Sequence, residues 1–254
     1  MLNSVAVLAD VHAVLPALRA VLAEPDVAGA DAVVLLGDIA SGPQPVETLD
    51  LLTSLGERAV WISGNGEREL VTIAEGGDLE PPDEITGWAA QQLRGDQVEL
   101  LATLPMLETL SVDGLGEVLC CHATPRDDME MALVDSSVAR WQEVLASVPE
   151  STRTVVCGHT HMPFVRLVDR RTVVNPGSIG MPYGTTGAHW ALLGGHDRPS
   201  ISLRRTEYDA SAAAEEIIAG SAFPDIAAWV DFFVRAPASD LDALETFAPK
   251  DGRS

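Results

Sequence analysis

At 254 residues with 46% hydrophobic composition and a mean hydropathy of +0.14, the chain can bury a substantial core as one large domain or one domain with an appendage. Its apolar runs are short and its first ten residues read as a strand ending at Asp10, so neither a membrane span nor a secretory leader is expected, and the cytoplasm is the expected location. Sixteen basic against thirty-eight acidic residues leave a formal charge of −22, a field that argues against sequence-specific nucleic-acid binding and against an anionic membrane as partner. An anionic substrate would need local cations to offset that repulsion.

In chain order, Ser4 to Ala9 is a short apolar β-type run, and Leu15 to Ala23 carries apolar residues at helical spacing. Ala32 to Leu36 is a second strand ending at Gly37-Asp38, and the Gly- and Pro-rich Ser41 to Pro45 leads into a helix through Leu52. A third strand, Arg58 to Ile62, ends at Gly64-Asn65. Strands that each end in a polar loop, separated by helices, predict a layered α/β sheet with its functional loops at the carboxyl ends of the strands.

Further on, Glu84 to Leu93 reads as a helix carrying Trp88, and Met106 to Val112 with Glu117 to Cys121 reads as a hairpin turning through Asp113-Gly114. The second of these strands runs into His122. A helix around Ser136 to Ala146 precedes the strand Thr154 to Cys157, which ends in Gly158-His159-Thr160-His161. Phe164 to Val168 and Thr172 to Val174 form another hairpin, Ala188 to Leu193 and Ser200 to Arg204 close the β-rich half, and Ala210 to Ala219 and Asp225 to Val234 read as helices before a polar, frayed end. Cys120, Cys121 and Cys157 lie in or beside apolar strands, and an odd count without a regular framework points to buried free thiols.

The residues at these strand ends include seven metal-competent side chains, Asp10, His12, Asp38, Asn65, His122, His159 and His161, which hold four of the six histidines of the chain. A divalent pair bridged by one carboxylate needs hard oxygens and borderline imidazoles in this mixture, and Asp-x-His or His-x-His lets alternate residues turn into one cavity. Taken singly, a Gly-Asp after a strand is an ordinary turn and a lone histidine an ordinary structural residue; the set is what carries the signal.

The ordered series Asp-x-His, Gly-Asp, Gly-Asn, His, Gly-His-x-His resembles the signature of the calcineurin-like metallophosphoesterase superfamily. The stretches Ala9-Asp10-Val11-His12, Gly64-Asn65-Gly66-Glu67-Arg68-Glu69, His122-Ala123-Thr124-Pro125-Arg126 and Asn175-Pro176-Gly177-Ser178 look like its small prokaryotic phosphodiesterase branch. The resemblance covers roughly the first two hundred residues. It implies a four-layer αββα sandwich with two central mixed β-sheets, a metallophosphoesterase domain over residues 1–205, and a C-terminal helical extension over 206–254 packed on it.

By the same resemblance, Asp10, His12 and His161 bind one divalent ion, Asn65, His122 and His159 bind the other, and Asp38 bridges them, with Asp38, Asn65 and His122 counted as catalytic. Mn²⁺ is the first expectation for both ions, with Fe, Zn²⁺, Co²⁺ or Ni²⁺ also suited to these donors. Two such ions about 3.5–4 Å apart hold a hydroxide, lower its pKa and clamp the attacking and leaving oxygens of a small phosphate ester, so no covalent enzyme intermediate is needed. Arg68 and Arg126, beside metal-binding positions, are candidates to contact the phosphate, with surface ion pairing as the competing reading. Glu67 is expected to orient the Asn65 loop, and Asn175 to Gly180 to support the site.

One departure stands out. Many superfamily members carry a histidine directly after the Gly-Asn pair, where this chain has Gly66. Without that imidazole, activated or acidic leaving groups are expected to react best, and a non-catalytic metal-binding scaffold of the same fold stays open as the alternative. A metal-dependent hydrolase of other esters or amides would share the donors but not the motif order. His189 and His196 fall outside every motif and read as structural or exposed. Trp229, Phe232 and Phe233 read as core by default, with a substrate edge or a homodimer contact as alternatives.

Overall fold

The computed structural model of the chain describes residues 1–80, 83–195, 200–236 and 238–252. Its elements in order are β1 (Ser4–Leu8), α1 (Leu15–Leu22), α2 (Pro25–Ala28), β2 (Ala32–Leu35), α3 (Pro45–Thr53), β3 (Ala59–Trp61), α4 (Asn65–Ala74), α5 (Glu84–Gln92), α6 (Gly95–Ala102), β4 (Leu107–Val112) and β5 (Gly116–Cys121). The second half contains α7 (Val138–Val144), β6 (Thr154–Val156), β7 (Phe164–Val168), β8 (Arg171–Asn175), β9 (Ala188–Gly194), β10 (Ile201–Thr206), α8 (Ala210–Gly220), α9 (Ile226–Val230), a π-turn over Asp231–Arg235 and α10 (Asp240–Phe247). None of the described helices is long and apolar enough to cross a membrane.

The strands form two five-stranded mixed sheets, in the orders β10-β9-β1-β2-β3 and β4-β5-β6-β8-β7. In the first, β1, β2 and β3 run parallel while β9 and β10 run antiparallel to their neighbours. In the second, β5, β6 and β8 run parallel, flanked by antiparallel β4 and β7.

The period-two alternation of each strand explains the layering. Val5 and Val7 of β1 pack with Val34, Val118, Cys120, Val156 and Val174 in a cluster between the two sheets. Their neighbours Ala6 and Leu8 turn the other way, into a cluster with Leu18 and Val21 of α1, Leu49 of α3 and Ile217 of α8. On the far side of the second sheet, Leu119, Cys121 and Val155 pack against Trp141 and Val144 of α7. Helix, sheet, sheet and helix thus stack as the four expected layers, which is why strands with both faces covered read as unbroken apolar runs rather than alternating ones.

Three departures from the sequence reading concern helices. Asn65, read as part of a loop, opens α4: Asn-Gly is a turn signal, but here the turn is the first one of a helix, where Glu67 accepts a bond from the Gly64 amide (2.9 Å). Helix α6 has no counterpart in the sequence reading between the α5 pattern and the following strand. The polar end is not frayed, because Ser239 accepts from the Asp242 amide (3.0 Å) and starts α10. His189 is buried and shares a hydrogen bond with the Thr185 hydroxyl (2.9 Å), a structural role, and His196 lies outside the described residues.

All three cysteines are free and buried. Burial in the apolar layers pushes the Cys120 and Cys157 thiols up to about 12 and raises Cys121 as well. A disulfide-exchange reagent at pH 8 is therefore expected to titrate none of these thiols quickly in the folded protein and all three after denaturation. Rapid reaction of one thiol in the native state would contradict such packing.

Candidate metal centre

β1, β2 and β3 run parallel in one sheet and β5, β6 and β8 in the other, and the loops that follow these strands bring their side chains together at one site. Asp10 and His12 follow β1, Asp38 follows β2, Asn65 follows β3, His122 follows β5, and His159 with His161 follows β6. The β1 and β2 loops run side by side, the Asp10 amide donating to Gly37 O (3.2 Å) and the His12 amide to Asp38 O (2.9 Å). Eight described non-glycine residues have left-handed backbone, and five of them are Asp10, His12, Asp38, His159 and His161, with φ from 46° to 65°. Such conformations cost roughly 1–3 kcal/mol each and survive where surrounding contacts over-determine them.

Those contacts are visible. Buried Glu67 accepts from three amides at once, those of Asp38 (2.8 Å), Ile39 (2.7 Å) and Gly64 (2.9 Å), and so locks the Asp38 loop to the start of α4. The expected role of Glu67 as an orienting group has its geometry here. The loop after β8 supports the other side: Asn175 donates to Gly158 O (2.7 Å), Ser178 Oγ donates to Asp10 O (2.7 Å), and the Met181 amide donates back to Ser178 Oγ (2.8 Å). At Gly180 a side chain is impossible, since a Cβ would lie 2.1 Å from Val11 O.

The donor atoms gather into two groups, Asp10 with His12 and His161, and Asp38 with His122 and His159, each with donor atoms within 4.8 Å of one another. Asp38 lies between them, Oδ2 being 3.8 Å from His12 Nε2 and Oδ1 3.4 Å from His122 Nε2. Asn65 joins the second group, its Oδ1 being 3.2 Å from His122 Nε2. The Asn65 amide nitrogen donates to Glu69 Oε1 (3.3 Å), which fixes the amide so that its oxygen turns to the centre. All seven sequence-predicted ligands are therefore brought together.

Whether these residues fit cations is decided by the hydrogen bonds on their far sides. His12 Nδ1–H donates to Ser41 O (3.1 Å), His161 Nδ1–H to Met181 O (2.8 Å), and His122 Nδ1–H to Leu36 O (2.6 Å). In the neutral ring each of these bonds leaves Nε2 a lone pair, the form in which imidazole takes a cation. The Nε2 atoms of His12 and His161 then face each other at 3.2 Å, an arrangement of two acceptors that a cation satisfies. Burial and His12 hold the His161 ring well below its usual pKa, while burial and His122 hold His159 down to about 4, so both offer neutral imidazole.

The carboxylates make the same demand. Burial pushes Asp10 well above the carboxylate range. For Asp38 burial acts the same way, but His122, His12 and His159 outweigh it and hold the group well below that range. Burial alone would discharge His122, yet Asp38 and Asp10 raise it to about 10. No lysine or arginine pairs with either aspartate among the described residues, so positive charge at this centre must come from protons or from metal. The residues fit two divalent ions.

Arg68 and Arg126 stand elsewhere. Arg68 grips Asp128 through Nε (2.7 Å) and a terminal nitrogen (3.0 Å), and Arg126 grips Glu130 and Glu143. Neither lines the cavity of about 370 Å³ onto which His12, Asp38 and Asn65 open. Several supports escaped the sequence reading, notably Glu69 and the carbonyls of Leu36, Ser41 and Met181. Glu69 was within reach, because a helix starting at Asn65 puts it one turn on. The carbonyls carry no signal in residue type.

Comparison with known proteins points the same way. A family model described as the calcineurin-like phosphoesterase superfamily domain matches residues 4–197. An uncharacterized protein of Methanocaldococcus jannaschii is 25% identical over 239 residues, covering 85% of this chain and 92% of the relative. A solved structure of a hypothetical protein from Pyrococcus horikoshii OT3 superposes with a TM-score of 0.76 at 21% identity, over 92% of this chain and 99% of the other. A metallophosphoesterase from Sphaerobacter thermophilus does so with a TM-score of 0.69 at 24% identity, over 90% and 98%. These two likenesses show the fold, and the family match spans most of the chain with its donor-bearing loops inside it: the chain belongs to the calcineurin-like phosphoesterase superfamily.

Proposed function

We propose that the protein is a phosphodiesterase working with two divalent ions, Mn²⁺ foremost, that hydrolyses a small phosphate ester in the cytoplasm, with residues 1–205 as the catalytic domain and 206–254 as an extension packed on it. The observation that carries this reading is the pair of donor groups on either side of Asp38, at the edge of one cavity. Asp10, His12 and His161 would hold one ion, Asn65, His122 and His159 the other, and Asp38 both. When bound, the pair supplies a water of lowered pKa and offsets the charge on the phosphoryl oxygens.

The chain's own residues position and neutralise. Glu67 keeps Asp38 in place, Glu69 keeps the Asn65 oxygen turned to the centre, and the carbonyls of Ser41, Leu36 and Met181 fix the imidazole tautomers. No serine or cysteine nucleophile competes among the described residues: Ser41 lines the cavity, but its hydroxyl is engaged with Thr86, and the cysteines are buried in the sheet layers. That arrangement suits direct in-line attack by water. The three reduced thiols accord with a cytoplasmic setting.

Gly66 deepens the reading. Its amide donates to Asp38 Oδ1 (2.7 Å), and a Cβ there would stand 2.8 Å from that same oxygen. Where the resembled pattern often has an imidazole, this chain therefore offers the leaving group no side chain. Two outcomes follow. Metal-stripped protein resupplied with Mn²⁺ should hydrolyse bis-p-nitrophenyl phosphate in preference to the monoester, and Asp38→Asn should abolish turnover while leaving the thermal unfolding of the apoprotein cooperative. Near-normal turnover in Asp38→Asn would remove Asp38 from the centre, and no turnover of either ester with any divalent ion would favour a metal-binding scaffold.

A third outcome concerns leaving groups. Across a series of aryl diesters the rate should fall steeply as leaving-group pKa rises, and Gly66→His should lower metal affinity rather than flatten that slope. A flat series in the unaltered protein would show that some other group donates the proton.

A further inference from the structure

The cavity beside the metal centre has a second wall that the metal chemistry does not require. Phe223, Trp229 and Phe233, from the chain after β10, line the same space as His12, Asp38 and Asn65. Trp229 and Phe233 are in ring contact at 5.0 Å, and Phe233 belongs to the π-turn Asp231–Arg235 that follows α9. Such one-turn π segments inside helices often mark functional sites. Phe223 and Trp229 are anchored in the cluster formed with β1 and β2, and Phe223 meets Trp88 of α5 edge to face at 5.9 Å, so the wall is rigidly held rather than draped.

The charged residues on the rest of the rim are acidic. Glu69, Asp83 and Glu84 line the cavity, and among the described residues no lysine or arginine does, while Arg68 and Arg126 are taken up by Asp128, Glu130 and Glu143. Two divalent ions offset the charge of one phosphoryl group; a second phosphate on the substrate would meet these carboxylates without a counter-charge.

We infer that the segment after β10 sets substrate choice: the site takes a phosphodiester of single negative charge whose second ester arm is apolar or aromatic and packs on Phe223, Trp229 and Phe233. This rests on the phosphodiesterase reading above and narrows it, setting aside polyphosphates and phosphoproteins. Burial of one ring against this wall is worth roughly tenfold or more in affinity over a methyl group.

The test separates the two readings by measuring binding as well as turnover. On Mn²⁺-loaded protein, calorimetric titration with phenylphosphonate and methylphosphonate should give at least about tenfold tighter binding of the phenyl compound, and Phe233→Ala should shrink that ratio. Phenyl p-nitrophenyl phosphate should likewise exceed methyl p-nitrophenyl phosphate through KM, and an ester whose second arm ends in a phosphate should be the poorest of the three. Equal affinities for the two phosphonates in the unaltered protein would overturn the inference whatever the variant does, as would a preference that a folded Phe233→Ala retains, or an ester with a terminal phosphate turned over as well as the phenyl ester. A phenyl preference in binding with no turnover of any diester would leave the aromatic wall standing and bring down the phosphodiesterase reading instead.

Discussion

Two buried carboxylates and four imidazoles share one small volume with no lysine or arginine paired to them among the described residues, and that deficit of positive charge is the constraint around which the rest is arranged. An uncompensated buried carboxylate is costly, by several kcal/mol in practice. Among the described residues the fold meets that cost with imidazoles rather than with a lysine or arginine. It keeps the imidazole lone pairs turned inward by tying their outer nitrogens to carbonyls, and it leaves the aspartates facing them. A chain that carries −22 overall has thereby built a place where cations are the complement, and the anionic ester its phosphoesterase family acts on would otherwise be repelled.

Holding these groups together requires backbone that L-residues rarely adopt. The left-handed conformations at Asp10, His12, Asp38, His159 and His161 turn successive loop residues inward so that alternate side chains share one cavity. The compensation is distributed over neighbouring residues: Glu67 binding three amides, Ser178 bonded to Asp10 O, and Gly180 lying against Val11. The parallel strands on either side set the loops' starting points, and the buried layers between and outside the sheets fix those strands. Strain at the centre and packing in the sandwich are thus parts of one balance.

Much of this was legible in the sequence, for identifiable reasons. Strands buried on both faces leave unbroken apolar runs, so Ser4 to Leu8, Ala32 to Leu35 and Thr154 to Val156 could be found, and the polar residues after these runs gave the candidate donors that the fold brings together. Less legible were the parts whose signal is short or distant. Helix α4 hid behind an Asn-Gly pair, α10 behind a polar composition despite Ser239 in a capping position, and the ring tautomers depend on carbonyls that any residue could supply. The engagement of Arg68 with Asp128 and of Arg126 with Glu130 is a tertiary fact that adjacency to a motif does not reveal. Phe233 reads as core from its neighbours in sequence; its place beside His12 arises only when the last third of the chain packs back on β1 and β2.

The central claim, that two cations complete the buried donor set, is tested most directly by locating them. Crystals of Mn²⁺-loaded protein measured for anomalous scattering are expected to show two sites, one among Asp10, His12 and His161 and the other among Asn65, His122 and His159, with Asp38 touching both. A single site, or none at this edge of the sandwich with metal bound elsewhere, would contradict the account.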